Sequence, residues 1–129
     1  MKRMSYAEAR RRLREYYELR ECVVEQEVGY GPYLILVGRA RRRASSRTER
    51  DALRVVQLLE RLNDVEKALR TLGEVERRFC ELRFGQQWSY FGIARELGVN
   101  RNGLPFFERA VLAHLIAAWG CVPEAGVEG

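Results

Sequence analysis

The stretch Trp88–Leu115, WSYFGIARELGVNRNGLPFFERAVLAHL, limits what this chain can fold into more than any other. Ser89 carries the side chain of a helix N-cap. A helix running from it places Ile93, Ala94 and Leu97 on one stripe. Gly98 then sits where a helix closes on a left-handed residue, a conformation that costs glycine no Cβ clash. Val99 is expected to pack back into the interior, and Asn100 to cap a second helix. Small Ala94, apolar Val99 and apolar Leu104 fall where two helices around a tight turn need their internal contacts. Residues 88–119 therefore read as a helix-turn-helix.

The rest of the chain points the same way. With 47% apolar and 32% charged residues, three prolines and no clear period-two alternation, the fold class expected is all-α. The form expected is a helical bundle with long N-terminal and central helices and a C-terminal helix-turn-helix. Ser5 and Glu8 form a capping box. The helix they open carries Leu13, Tyr16, Tyr17 and the Val23-Val24 pair, and is expected to end near Gly29. Its Arg10, Arg11, Arg12 and Arg14 read as a solvated basic face. Gly29, Gly31, Pro32 and Gly38 interrupt any further helix. The apolar run Tyr33–Val37 reads as an isolated strand, a packed loop or an oligomer contact, and periodicity does not choose among them. Thr48 opens the central helix, with Leu53, Val56, Leu59, Leu62, Val65, Leu69 and Leu72 spaced by three and four. That helix either runs unbroken or breaks near Asn63-Asp64. Its stripe needs the N-terminal helix, the downstream helices or a second copy of the chain. Glu74–Phe84 reads as a short helix with Val75, Phe79 and Leu82 inward, ended by Gly85. The division expected is an N-terminal helix with a basic linker (1–47), a helical domain (48–120) and a frayed tail (121–129).

The net charge is +5, and among the basic residues only Lys2 and Lys67 are lysines. Arginine forks match phosphate oxygens and guanine edges. Arg39–Arg47 holds five arginines and no acid, so Arg41, Arg42 and Arg43 are candidate phosphate contacts. Cys22, Cys80 and Cys121 are scattered and odd in number, which argues against a disulfide framework. They read as two small core residues and a free thiol near the end. His114 reads as a helix residue without ligand partners at metal-site spacing. No nucleophile–base pair, carboxylate pair or phosphate loop is legible, so no enzyme, cofactor or metal is expected. Neither a signal peptide nor a membrane-length apolar run is present, and a cytoplasmic protein is expected.

The stretch Ala68–Leu115 resembles the C-terminal promoter-binding region of bacterial sigma factors. The resemblance rests on Leu82-Arg83-Phe84-Gly85, the Ile93-Ala94 pair, the Leu97-Gly98-Val99 turn, Arg101, and Glu108 with Leu112. With the preceding SSRTERDALRVVQLLERLNDVEKALRTL, the chain resembles the RinA/ArpU group of phage late-gene transcriptional regulators over residues 46–119. The resemblance implies a sequence-specific regulator that binds double-stranded DNA with the start of its second helix in the major groove. Carried over by position, the base-facing residues are Arg101, Asn102, Pro105 and Phe106, beside Asn100 at the turn. Ser89, Tyr90, Arg95 and Arg109 are the phosphate candidates, and for Arg109 a partner at Glu108 or on a neighbouring helix is the alternative.

Two departures from the family pattern bear on this. Pro105 and Phe106 stand where polar residues are usual. Either the helix begins later, with Gly103 near its cap and Pro105 in the first turn, or it is kinked. Gly92 replaces a common glutamate at about 1 kcal/mol relative to alanine, and would admit close packing against a helix or a DNA backbone. Trp88 reads as core. Other functions compatible with the pattern are a module docking on RNA polymerase or a phage protein, and a small terminase-like packaging subunit. RNA polymerase and a second copy in a homodimer are the further partners considered.

Overall fold

The computed structural model describes residues 2–20, 23–28, 31–36 and 49–124; side chains are described for 2–20 and 56–124. The chain is mostly helical. Helix α1 spans Tyr6–Leu19, α2 Glu49–Arg70, α3 Glu74–Cys80, α4 Tyr90–Leu97 and α5 Leu104–Ala118. Two strand pairs accompany them. The short strands β1 (Arg3–Met4) and β4 (Val122–Pro123) pair in parallel, and β2 (Val23–Val28) pairs antiparallel with β3 (Gly31–Leu36).

Ser5 caps α1 by accepting a hydrogen bond from the Glu8 amide at 3.1 Å. Ala9, Leu13 and Tyr16 form its buried stripe, against α2 and α5. The helix stops at Leu19, ten residues before the expected end at Gly29. Val23 and Val24 pair instead with Leu36 and Ile35 in the β2–β3 ladder. β-Branched valines keep their preferred rotamers in a pleated ladder and lose freedom in a helix. The YLILV run is therefore no isolated strand: Tyr33–Leu36 lies in β3, paired with β2 and set against α2, while Val37 is outside the described residues. Thr48, Cys22 and the basic segment 39–47, with Arg41, Arg42 and Arg43, also lie outside them.

Helix α2 runs unbroken through Asn63-Asp64. From Leu62 onward its apolar stripe is buried, with Val65, Ala68 and Leu69 packed among α1 and α5. The N-terminal helix thus covers the far half of this stripe. Helix α3 continues into a wider turn at Glu81–Gly85, where the Gln86 amide reaches the Glu81 carbonyl at 2.9 Å. Phe79, Cys80, Leu82 and Phe84 are all buried there, with the rings of Phe84 and Phe107 edge-on to Phe79. Val75 differs from expectation: it is 53% exposed, because the first turn of α3 stands over an open groove. A Cβ on Gly85 would lie 3.2 Å from the Tyr17 ring, so the absence of a side chain lets the wide turn close on α1.

The C-terminal segment is not frayed where it is described. Gly120 turns left-handed, Cys121 is buried, and the Val122 and Glu124 amides donate to the carbonyls of Lys2 and Met4 at 2.9 and 3.0 Å. The Cys121 thiol is free, as expected, but buried in the core; residues 125–129 lie outside the described part. Trp119 ties the end of α5 down, donating its indole N–H to the Asp64 carbonyl at 3.2 Å beneath the Arg12 guanidinium. No described helix is long and apolar enough to cross a membrane.

The interior holds three acidic side chains in their neutral form. Burial pushes the Cys80 thiol up to about 12. Burial, reinforced by a hydrogen bond to Glu66, holds Tyr16 well above the ordinary tyrosine range; burial and neighbouring Cys80 do the same for Tyr17. In the unfolded chain these groups ionise near about 9 and 10. Their neutral forms therefore contribute stability that is complete below about pH 9 and is lost as pH rises above it. Urea melts are expected to be flat between about pH 6 and 8 and to lose up to about 1.4 kcal/mol per pH unit per ionising group on the alkaline side. A midpoint that stays level to about pH 11 would contradict this.

Candidate nucleic-acid interface

Helix α4 starts where its sequence demands. Ser89 Oγ accepts a hydrogen bond from the Gly92 amide at 3.2 Å. The helix ends at Gly98, with φ 68°, and the Gly98 and Val99 amides both turn back to the Ala94 carbonyl. The connection to α5 is an ordered 3₁₀ turn, Arg101–Gly103. Asn100 Oδ1 accepts from the Asn102 amide at 2.9 Å and the Asn100 carbonyl from the Gly103 amide at 3.2 Å. Helix α5 begins only at Leu104, with Gly103 at its cap and Pro105 in its first turn. A proline there forfeits no hydrogen bond, since a first-turn amide has no helical acceptor. The later-start alternative is thus the one adopted, and no kink is needed.

Ala94 and Leu104 are buried. Val99 is not: it is 44% exposed, lying at the mouth of an apolar groove of about 280 Å³ with Val75, Leu97, Leu104 and Phe107. On its other side Phe91, Arg95, Asn100, Arg101 and Asn102 line a shallow crevice of about 390 Å³. Arg101, Asn102 and Arg95 are thereby brought together on one exposed face, with the Arg95 guanidinium 5.8 Å from the centre of the Phe91 ring. Pro105 is exposed and Phe106 is 73% exposed. Ser89 and Arg109 are exposed too. Glu96 of the same helix is ion-paired with Arg78 at 3.6 Å.

Tyr90 turns the other way. It is half-buried, its ring lies 4.1 Å below the Arg83 guanidinium, and its hydroxyl is hydrogen-bonded to Glu108. Burial, and then the Glu108 charge, hold this hydroxyl above the ordinary tyrosine range. The position expected to contact phosphate serves the interior instead.

That interior contact is what sequence reasoning missed. Glu108 is 4% exposed and sits on the buried side of α5. Arg10 of α1 meets its Oε2 at 3.2 Å, and Arg83 of the wide turn meets its Oε1 at 3.0 Å. Arg83 also donates to the Trp88 carbonyl at 3.0 Å. One carboxylate thus ties α1, the wide turn, α4 and α5 together and fixes the rotation of α5 about its own axis. Arg10 is no solvated face residue: it shares the Glu108 carboxylate with Arg83. The signal is present in the sequence: an acid in register with Leu104, Val111, Leu112 and Leu115 on an apolar stripe requires a cation from elsewhere.

Gly92 is not forced by packing, for a Cβ there would meet Trp88 at 3.5 Å, ordinary contact. Gly92→Ala is expected to raise stability by about 0.5–1 kcal/mol, read from urea melts. A loss of stability would contradict this packing. Trp88 is half-buried against the core, and His114 is exposed with Nε2 2.8 Å from Thr71 Oγ1. Compared with protein-family models, curated proteins and solved structures, the chain matches none.

Proposed function

We propose that the protein is a sequence-specific, DNA-binding transcriptional regulator of the phage or prophage late-gene type, as the resemblance to the RinA/ArpU group implies. In this reading α4 and α5 act as a sigma-like helix-turn-helix in the cytoplasm. The head of α5 enters the major groove of double-stranded DNA. Arg101 pairs with guanine O6 and N7 and Asn102 with an adenine edge. Ser89, Arg95 and Arg109 flank them toward phosphates, which set the register.

The observation that carries the reading is the exposed turn Asn100–Gly103. It is closed by its own hydrogen bonds, presents Arg101 and Asn102 at the head of α5, and is backed by a helix whose rotation Glu108 fixes. A reader of base edges needs such a rigid platform, because each contact must arrive within hydrogen-bond distance.

Selection from a pool of random duplexes at low and moderate salt tests it. A recurrent site is expected, with affinity falling steeply as salt rises because bound phosphates release counterions. Binding without any site preference, or no binding, overturns it. A second reading, a module docking on RNA polymerase or a phage protein, is favoured by the apolar groove beside Val99. It predicts co-purification with polymerase and little affinity for free DNA.

A further inference from the structure

We infer that Phe106 reads the 5-methyl group of a thymine, so that the target site contains a thymine whose methyl group is required. This rests on the DNA-binding reading above and adds a base identity to it.

Phe106 is the most exposed large apolar side chain among the described residues, at 73%. Among the described residues it is not part of the core cluster. Its neighbour Phe107 packs edge-on against Phe79 with ring centres 5.1 Å apart, and Glu108 is held by Arg10 and Arg83. These two adjacent residues fix the rotation of α5, and about 100° per residue of helix then sends Phe106 outward. The ring stands in the first turn of α5, beyond Asn102 and Gly103 and one turn before Arg109 and Ala110, all exposed.

The surroundings favour nucleic acid over an apolar protein groove as the partner. Arg101 precedes the ring and Arg109 comes after it, and Arg95 stands across the crevice that Arg101 lines. A surface that brackets one apolar ring with arginines complements an apolar spot bordered by phosphates. In the major groove the thymine methyl is the apolar feature of the base edges, and phenylalanine is among the side chains that contact it. Such a contact removes apolar surface from water without leaving a buried polar group unpaired. The rigid ring also loses little conformational freedom.

The test uses the full chain and a duplex that it retains from the random pool. Each thymine is replaced in turn by deoxyuridine, which deletes the methyl and leaves every hydrogen-bonding group in place. One position is expected to lose about fourfold to tenfold in affinity. Phe106→Ala should bind the parent duplex more weakly by a similar factor and should no longer sense deoxyuridine at that position. The exposure of Phe106 means the variant should keep the parent's circular dichroism and urea midpoint. If every deoxyuridine duplex binds like the parent, or if Phe106→Ala stays sensitive to the same substitution, the inference is overturned while DNA binding stands. If Phe106→Ala keeps full DNA affinity but loses capture of purified RNA polymerase, the ring serves a protein contact and the inference is likewise overturned. If the wild-type chain retains no duplex at low salt, the DNA-binding reading falls and takes the inference with it.

Discussion

Arg83→Ala is expected to destabilise the fold by about 3 kcal/mol, or about 10 °C in thermal midpoint. Arg83 makes three contacts at once: the Glu108 carboxylate, the Trp88 carbonyl and the face of Tyr90. Removing it leaves Glu108, 4% exposed, with Arg10 as its remaining cation. A buried carboxylate that loses a cation keeps its desolvation cost and loses the attraction that offset it. Arg10→Ala should cost less, about 1 to 2 kcal/mol, because Arg83 also holds the Trp88 carbonyl and the face of Tyr90 and stays in place on the Glu108 carboxylate. The double replacement Arg83→Met with Glu108→Leu should recover part of the loss, since an apolar pair of similar volume carries no charge to desolvate. Urea denaturation of the variants checks the order. An Arg83→Ala protein as stable as the parent would show that the carboxylate does not tie these elements together.

Arg101→Ala is expected to reduce affinity for a selected site by about 10- to 100-fold, a discrimination of about 1–3 kcal/mol, with preference relaxed at one base pair. Its side chain is exposed on a turn closed by its own backbone, so stability should be unchanged. Arg95→Ala provides the contrast. A phosphate contact should weaken all duplexes about equally and lower the salt slope by about one. Competition binding against single-base-pair variants of the site separates the two. If Arg101→Ala weakens every duplex equally, Arg101 touches phosphate and the base-reading assignment is wrong.

Legibility in the sequence depends on how local each cause is. The Ser89 cap and the left-handed Gly98 depend on a few adjacent atoms, and their chemistry is written in the residues themselves. The start of α5 is not: Asn100 caps the 3₁₀ turn rather than the helix, and Pro105 alone admits either a later start or a kink. The end of α1 is not legible, because Val23 and Val24 satisfy both helical spacing and strand preference. Their pairing with Ile35 and Leu36 decides it, and those partners lie beyond the Gly-Pro break. Spacing alone places Val75 and Val99 inward, yet both stand at a groove that α3 and the turn leave open. The pull of Glu108 on α1 spans 98 residues and that on the wide turn 25, so no local pattern names the partners. The sequence still marks the carboxylate as out of place on an apolar stripe.

Amide mapping by NMR of the ¹⁵N-labelled chain, titrated with a selected duplex, shows whether the turn before α5 is the part of the molecule that meets DNA. The largest shifts are expected on Asn100, Arg101, Asn102, Gly103 and Phe106, with smaller ones at Ser89 and Arg95. Shifts confined to α1, or to the groove lined by Val75 and Phe107, with the turn unmoved, would rule out this mode of binding.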